Sequence, residues 1–353
     1  MRKRQAHGIT ILFAFFLIMA PGGCKNSTSP MPEPVPAPAP APTPDPIRSV
    51  YIAGIYHDGS TGGACYWKDG ELTPLPDGEG VSGMAIAVSG GKVYVAGQYN
   101  EGSNWKSCYW KDGVRINLSG GTFLLAFGIV VSEGKVYIAG ATGPTYDTLR
   151  ACYWVDGEIT YLTSGYPSEA RSIAVSGGKV YVAGSYNDGT YNVACCWKDG
   201  ARTDLITGVA GLESSNASAV SIIGESVYIT GSYYNGVKYT AWYWKDGIRA
   251  DLPAVHGSDA YGISVSDGSI YVAGTYRDSS PNTACYWKNG LRTNLPVGTS
   301  PSYAYSIAVS GGKVHVAGYY LDSTGAKAGY WIDGVLIDIP GGISSMAHSM
   351  VVE

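Results

Sequence analysis

Short segments in which apolar residues alternate with small or polar ones recur along the chain and predict β-strands. Four of them follow one another at Ala304–Ser310, Lys313–Gly318, Lys327–Trp331 and Val335–Ile339. Gly311-Gly312 separates the first two and Asp333-Gly334 the last two, and these residue types adopt the positive φ that a tight hairpin requires. No intervening segment has the periodicity or length of a helix, so each unit is predicted to contain four antiparallel strands.

This unit is repeated seven times. A YWKDG-like pentapeptide recurs with its tryptophan at Trp67, Trp110, Trp154, Trp197, Trp244, Trp287 and Trp331. A VYVAG-like pentapeptide keeps the same phase and begins at Val50, Val93, Val136, Val180, Val227, Ile270 and Val314. A spacing of 43 to 47 residues between the tryptophans is typical of arrays of supersecondary units.

A four-stranded sheet of this composition has apolar side chains on both faces, and radial stacking of seven such sheets buries both. We therefore predict an all-β fold, a seven-bladed β-propeller with four antiparallel strands per blade, over residues 48–353. The first unit starts at Arg48 without its first strand, whereas Ala347–Glu353 resembles a first strand with no successor. The C-terminal strand is expected to pair with the N-terminal blade, which closes the ring and removes an exposed edge.

The recurring tryptophan is interpreted as a packing residue. If Asp-Gly forms the turn, an arginine on the fourth strand faces the tryptophan in four units, at Trp110, Trp197, Trp244 and Trp287. We expect cation–π pairs between these arginines and the indole rings, and Trp–aliphatic pairs in the other three units. So regular a column suits packing better than ligand recognition.

Most of the cysteines also occupy one column, just before the Tyr-Trp pair, at Cys65, Cys108, Cys152, Cys195 and Cys285. Packed sheets lie about 10 Å apart, whereas a disulfide requires Cα atoms within about 4.4–6.8 Å. Together with Cys196, we therefore expect six free, buried thiols in the propeller.

The N-terminal region is predicted to direct export. Three basic residues precede the apolar run Ile9–Ala20, which is the length of a signal-peptide core, so residues 1–23 are interpreted as a signal peptide. Pro21-Gly22-Gly23-Cys24 resembles a bacterial lipobox, which implies lipidation at Cys24, although a lipobox usually has Leu where this chain has Pro21. Residues 24–47 are proline-rich and would form an extended tether.

Composition narrows the range of partners. Outside the basic N-terminal residues, 21 Lys and Arg stand against 28 Asp and Glu, a net charge of −7 that argues against nucleic acid and against anionic lipid surfaces. Membrane contact is expected through the lipid anchor only. The predicted location is therefore the cell envelope, with plain secretion as the alternative, and we expect a monomer.

The sequence contains no recognisable catalytic, cofactor or metal motif. No two histidines have metal-ligand spacing, and no Cys-x-x-Cys occurs. We therefore assign no catalytic residues, no cofactor and no metal ligands.

From Arg48 to Glu353 the repeats resemble those of bacterial envelope lipoproteins built of β-propeller repeats. Their period and four-stranded unit also resemble WD40 propellers, but the Gly-His and Trp-Asp signatures are absent, so that likeness is architectural. The resemblance implies a scaffold for binding, with the function carried by loops.

Two columns are predicted to meet at the central mouth of the ring. One lies at the start of the first strands and varies from unit to unit, at Met84, Phe127, Arg171, Ser218, Tyr261, Tyr305 and His348. The other lies two positions past the VYVAG glycine and is mostly Tyr. The candidate ligand-binding residues are Arg171, Tyr261, Tyr305, His348, Phe127, Tyr99, Tyr186 and Tyr276. Such a mouth suits a sugar or a peptide loop, while the alternative for the Tyr column is packing beneath the loops.

Two functions remain open. The first is a non-enzymatic binding module for an envelope glycan or protein. The second is a hydrolase or lyase that acts on a polysaccharide. The hydrolase or lyase would be favoured if four side chains lay within hydrogen-bond reach of one another, namely Glu169, Arg171, His256 and His348.

Overall fold

The computed structural model describes residues 48–353 except 80–81, 102–103, 163–166, 279–280 and 296. The signal peptide at 1–23, the lipidation of Cys24 and the tether at 24–47 lie outside the described residues. Within them, no helix is long and apolar enough to cross a membrane.

The described chain forms seven four-stranded antiparallel sheets, which are the blades of a propeller. Blade one contains β28 (Ser344–Val352), β1 (Val50–His57), β2 (Gly62–Lys68) and β3 (Glu71–Glu79). Blade two contains β4 (Ser82–Ser89), β5 (Lys92–Glu101), β6 (Asn104–Lys111) and β7 (Val114–Asn117). Blade three contains β8 (Phe123–Ser132), β9 (Lys135–Gly143), β10 (Arg150–Val155) and β11 (Glu158–Tyr161).

The remaining blades have the same strand order. Blade four contains β12 (Ser168–Ser176), β13 (Lys179–Asn187), β14 (Asn192–Lys198) and β15 (Ala201–Asp204). Blade five contains β16 (Ser214–Ile223), β17 (Ser226–Tyr234), β18 (Tyr239–Lys245) and β19 (Ile248–Leu252). Blade six contains β20 (Gly257–Ser266), β21 (Ser269–Arg277), β22 (Thr283–Lys288) and β23 (Leu291–Asn294). Blade seven contains β24 (Ser302–Ser310), β25 (Lys313–Asp322), β26 (Gly325–Ile332) and β27 (Val335–Asp338).

Blade one is built from both ends of the propeller sequence. Strand β28 pairs with β1 from Val50 opposite Val352 to His57 opposite Ser344. Just beyond the strands, Ser49 and Glu353 exchange backbone hydrogen bonds of 2.9 and 3.0 Å. The predicted seven-bladed ring, with its closure by the C-terminal strand, is therefore confirmed.

The Asp of the YWKDG motif has two structural roles. It adopts a positive φ of 46–50° in the turn between the third and fourth strands, as Asn289 does in blade six. Its Oδ1 atom also accepts a hydrogen bond from the backbone amide of the first residue of the VYVAG motif, as Asp199 does from Val180 at 2.9 Å. All seven blades contain this bond. The motif thus ties a turn to a neighbouring strand.

Six of the seven recurring tryptophans are fully buried. Blade five differs from the expected pattern, because Trp242 is buried there and Trp244 is only partly buried. A Cβ added to Gly231 in blade five would lie 2.8 Å from the Trp242 ring. In blade six, a Cβ added to the equivalent Gly274 would lie 2.9 Å from the ring of Trp287, the tryptophan of the YWKDG motif. In blades one, three and six the indole of the YWKDG motif covers the glycine of the second strand, and in blade five Trp242 takes that place.

The prediction of cation–π pairs between arginine and tryptophan is wrong, because the arginines stack on tyrosine rings instead. The expected register is present, with Trp197 opposite Arg202. The guanidinium of Arg202 nevertheless lies over the Tyr186 ring, 3.6 Å from its centroid, because the indole is buried against the blade while the tyrosine ring lies beside the arginine. Arginines in blades two, five and six do the same, at Arg115–Tyr99, Arg249–Tyr233 and Arg292–Tyr276.

All six cysteines of the propeller are free and buried. Burial raises the pKa of the Cys108 and Cys196 thiols to about 12, which keeps both thiols protonated at neutral pH. These side chains therefore act as small apolar packing groups.

Candidate functional site

A β-bulge lies within the first strand of every blade. In blade four, Ala170 is opposite Gly184 and Ser172 is opposite Ala183, so Arg171 has no partner across the ladder. The seven unpaired residues are Met84, Phe127, Arg171, Ser218, Tyr261, Tyr305 and His348. They are the variable column that the sequence singled out, although that column was expected at the start of the strand. A bulge bends the strand and redirects its extra side chain.

The glycine of the VYVAG motif makes room for the bulge. A Cβ added to Gly184 would lie 2.0 Å from the carbonyl oxygen of Glu169. Five other blades show the same close approach, at Gly54, Gly140, Gly231, Gly274 and Gly318. The glycine of the second strand therefore permits the bulge that exposes the variable residue of the first strand.

The seven unpaired side chains meet around the axis of the ring and line one pocket of about 390 Å³, which we call the mouth. A narrower space of about 280 Å³ continues below it between the first strands. The mouth lies toward the end of the ring where the first strands begin and the second strands end. Strand β1, and with it the N-terminal end of the propeller, begins at the opposite end.

One side of the mouth is aromatic. The rings of Tyr261 and Tyr305 meet edge to face at 5.0 Å, and Tyr305 lies 6.0 Å from His348. Tyr303 stacks on Tyr319 at 4.7 Å, and both lie beside Tyr305. We call these five half-buried side chains the aromatic crescent. Sequence reasoning missed Tyr303 and Tyr319, although strand alternation places Tyr303 on the same face as Tyr305.

The crescent is uncharged at neutral pH. Burial raises the pKa of the Tyr261 and Tyr305 hydroxyls well above their usual value. Burial also lowers the pKa of His348. Its Nδ1 lies 3.0 Å from the carbonyl oxygen of Gly83, which can only accept, so Nδ1 carries the proton of the neutral ring. The Nε2 atom is then a hydrogen-bond acceptor.

The rest of the mouth is apolar at Met84 and Phe127 and polar at Arg171 and Ser218, and we call the part formed by blades four and five its polar side. Arg171 forms an ion pair with Glu169 at 2.7 Å, and its guanidinium lies 5.6 Å from the centroid of Phe127. In the next blade the Ser218 hydroxyl donates to Asn216 at 3.1 Å. A cavity of about 360 Å³ opens beside this ion pair, and we call it the side cavity. Its polar lining includes Asp147, Ser168, Ser185, Asn192, Ser215 and Asn216.

A second ion pair lies close to the crescent. Arg277 and Asp259 approach to 2.9 Å, and Asp259 stands two residues before Tyr261. Burial raises the pKa of Asp259, while the positive charge of Arg277 opposes that change. Each arginine near the mouth is therefore paired with a carboxylate of opposite charge.

The three candidate residues from the Tyr column lie elsewhere. Tyr99, Tyr186 and Tyr276 do not line the mouth, and each ring lies beneath an arginine of its fourth strand. Tyr186 also donates a hydrogen bond from its hydroxyl to Asp204 at 3.1 Å. These contacts match the packing alternative for this column.

The four residues chosen to test for acid–base chemistry converge only in part. Glu169 and Arg171 are paired, and His348 lines the same mouth as Arg171. His256 instead contacts the backbone of Asp278, with its Nδ1 2.9 Å from the carbonyl oxygen. Among the described residues, no group of three or more His, Cys, Asp or Glu side chains could hold a metal ion.

No protein-family model matches the chain, and no similar sequence is found among curated proteins. Similar solved structures include puromycin hydrolase, with a TM-score of 0.55 and 12% identity over 83% of this chain and 52% of that one. The β-propeller domain of the Trilobed protease from Pyrococcus furiosus has a TM-score of 0.51 and 11% identity over 82% and 94%. Trypanosoma rangeli sialidase in complex with the inhibitor DANA has a TM-score of 0.43 and 9% identity over 70% and 54%. The chain thus spans about half the length of the puromycin hydrolase and of the sialidase. At such low identity the likeness to the puromycin hydrolase and to the Trilobed protease domain shows the propeller fold alone.

Proposed function

We propose that this protein is a non-enzymatic binding propeller of the cell envelope, and that its ligand binds at the mouth. The observation that carries the proposal is the set of seven bulges, which direct seven side chains of six different residue types into one pocket. A repeat that keeps its packing residues and varies the side chains around a central pocket is typical of a scaffold that presents a site.

The predicted signal peptide and the lipobox-like sequence that ends at Cys24 support a location at the cell envelope.

The test is a binding screen with the full-length chain in detergent against envelope glycans and purified envelope proteins. A ligand of the mouth should lose most of its affinity in the double variant Arg171→Ala and His348→Ala. The control pair is Arg249→Ala and Lys245→Ala on the outer part of blade five, where Arg249 pairs with Asp251. A ligand that binds the mouth variant as well as the parent chain would refute the mouth as its site.

A hydrolase or lyase acting on a polysaccharide is the alternative. The observation in its favour is that Arg171 of the mouth pairs with a carboxylate of the side cavity, Glu169, and that the mouth also holds His348 with Nε2 as an acceptor. Incubation of the full-length chain with the polysaccharides of the screen should release new reducing ends if the alternative is correct. Unchanged polysaccharide chain length would leave binding as the function.

A further inference from the structure

The shape of the mouth limits the size of its ligand. The mouth of about 390 Å³ joins the side cavity of about 360 Å³ at Arg171, which lines both. These volumes fall within the range of roughly 300–1,000 Å³ that small-molecule sites occupy. Protein partners are usually recognised through broader surfaces with an apolar core. A small ligand, or the end of a long one, fits this concavity better than a protein surface.

The aromatic crescent is suited to ligands with apolar ring faces. Its side chains are half-buried, and Tyr261, Tyr305 and His348 line the mouth from blade six through blade seven to blade one. Tyr303 and Tyr319 lie beside Tyr305 and do not line the mouth. Packing already holds Tyr303 against Tyr319, and Asn282 donates to the Tyr303 hydroxyl at 2.9 Å. Rings fixed in this way lose little entropy when a ligand stacks on them. The C–H face of a sugar ring is such a ligand surface.

Opposite the crescent, the polar side offers donors and acceptors together. The guanidinium of Arg171 presents several N–H groups in one plane, and Glu169 and Asn216 supply carboxylate and amide oxygens. The Arg171 side chain is 44% exposed and that of Glu169 is 20% exposed, so both can be reached from solvent. Adjacent hydroxyl groups of a sugar are each donor and acceptor, and such a mixed set of groups satisfies both.

The charges around the mouth disfavour an anionic ligand, and Asp147 adds a negative charge to the side cavity. Arg171 is paired with Glu169 and Arg277 with Asp259, while the tyrosines and His348 are uncharged at neutral pH. A phosphate or carboxylate ligand would have to compete with Glu169 for Arg171. A polyanion would therefore gain little from this mouth.

From these features we infer that the mouth binds the end of a neutral glycan. The sugar ring stacks on the aromatic crescent, and its hydroxyls bond to Arg171, Glu169 and the side cavity. This inference rests on the proposed function and specifies its ligand class.

The experiment measures binding of defined probes to the full-length chain by isothermal titration. The probes are neutral hexose and N-acetylhexosamine oligosaccharides, the corresponding uronic-acid and sialylated oligosaccharides, and short uncharged peptides. Two variants test the two sides of the mouth. Tyr305→Leu removes the aromatic face but keeps apolar bulk, and Arg171→Gln removes the ion pair but keeps an amide.

Each variant has a matched control away from the mouth. Tyr161→Leu changes a tyrosine on the outer strand of blade three, where its ring stacks with Arg150 and does not line the mouth. Arg202→Gln breaks an ion pair with Asp204, and the Arg202 side chain is 40% exposed, close to the value for Arg171. We expect neutral oligosaccharides to bind the parent chain and both controls alike, and to bind each mouth variant about tenfold more weakly.

The possible failures differ in what they refute. If only acidic oligosaccharides or only peptides bind, and the mouth variants weaken them, the neutral-glycan inference is wrong while the mouth stays the binding site. If a neutral oligosaccharide binds and neither mouth variant weakens it, both the inference and the proposed site are wrong. If no oligosaccharide binds, the neutral-glycan inference is wrong, and the protein screen alone decides the proposed function.

Discussion

Equivalent side chains of the repeat do not contribute equally, because local packing differs among the blades. Trp154 is fully buried and donates from Nε1 to the carbonyl oxygen of Ser119 at 2.7 Å, which joins blade three to the segment that follows blade two. Trp244 belongs to the same sequence motif but is partly exposed, since Trp242 covers Gly231 in its blade. A sequence motif therefore identifies a position in the fold rather than a fixed energetic contribution.

This difference predicts unequal costs for the same substitution. Trp154→Ala should lower the free energy of unfolding by about 3–5 kcal/mol, because it opens a cavity in a closely packed interface. Trp244→Ala should cost about 1 kcal/mol, because this side chain packs against the core but stays partly exposed. Urea unfolding monitored by circular dichroism measures both, and equal losses would contradict the assignment of Trp242 as the interior indole of blade five.

The buried imidazoles predict a dependence of stability on pH. Burial lowers the pKa of His348 and of His315 in the folded state, whereas both titrate near 6.5 when unfolded. The unfolded chain then binds more protons as the pH falls, so their contribution to stability is complete above pH 6.5 and decreases below it. Thermal unfolding at pH 7.5 and pH 5.5 should show a smaller acid-induced loss in His348→Asn than in the parent. An equal loss in the two proteins would contradict the pKa direction.

Among the strands, the first and second of each blade are coupled through the bulge. The strand-two glycine is needed because the carbonyl before the bulge points at it, and the bulge in turn directs one side chain into the mouth. Packing of the blade and presentation of the site therefore depend on the same two residues.

Substitution of this glycine should disturb both properties. In Gly184→Ala the new Cβ would lie 2.0 Å from the Glu169 carbonyl oxygen, so β12 must shift and carry Arg171 with it. We expect a loss of about 1–3 kcal/mol in the free energy of unfolding, typical of overpacking. Gly178→Ala is a control of a different kind, because its Cβ would meet nothing within 4 Å and only its φ of +70° opposes the change. The prediction would be contradicted if Gly184→Ala retained parental stability and mouth binding.

At the scale of the whole molecule, the ring stays closed because the C-terminal strand β28 pairs with β1. Strand β28 supplies the innermost strand of blade one, buries Ala347 and Met350, and brings His348 to the mouth. Without it, β1 would present an unpaired edge inside the ring.

Deletion of Ala347–Glu353 should therefore open the ring. The truncated chain is expected to aggregate or to melt at a much lower temperature than the intact chain, since it loses a strand of hydrogen bonds and the burial of Met350. Differential scanning calorimetry and light scattering test this. Deletion of Glu353 alone is the control: it removes only the two backbone hydrogen bonds that this residue exchanges with Ser49 and keeps all of β28, so it should lower the melting temperature far less. Identical melting of the truncated and intact chains would contradict closure by β28.

The fold was predictable from the sequence because its determinants are local and repeated. Alternating residues, Asp-Gly and Gly-Gly turns, and a fixed period together define a four-stranded unit, and the incomplete units at residues 48 and 353 define how the ring closes. The free cysteines followed from the same reasoning, since a column position is separated from its equivalents by the distance between sheets.

The site depended on tertiary structure, because it is made of contacts between blades. Repetition identified the variable column that lines the mouth, but it also suggested Tyr99, Tyr186 and Tyr276, whose rings are held by arginines of their own blades. Tyr319, the Arg171–Glu169 pair and the side cavity became visible only in the folded ring. A single sequence shows which positions vary, but the direction of a side chain at a bulge and its partners in the next blade are set when the ring closes.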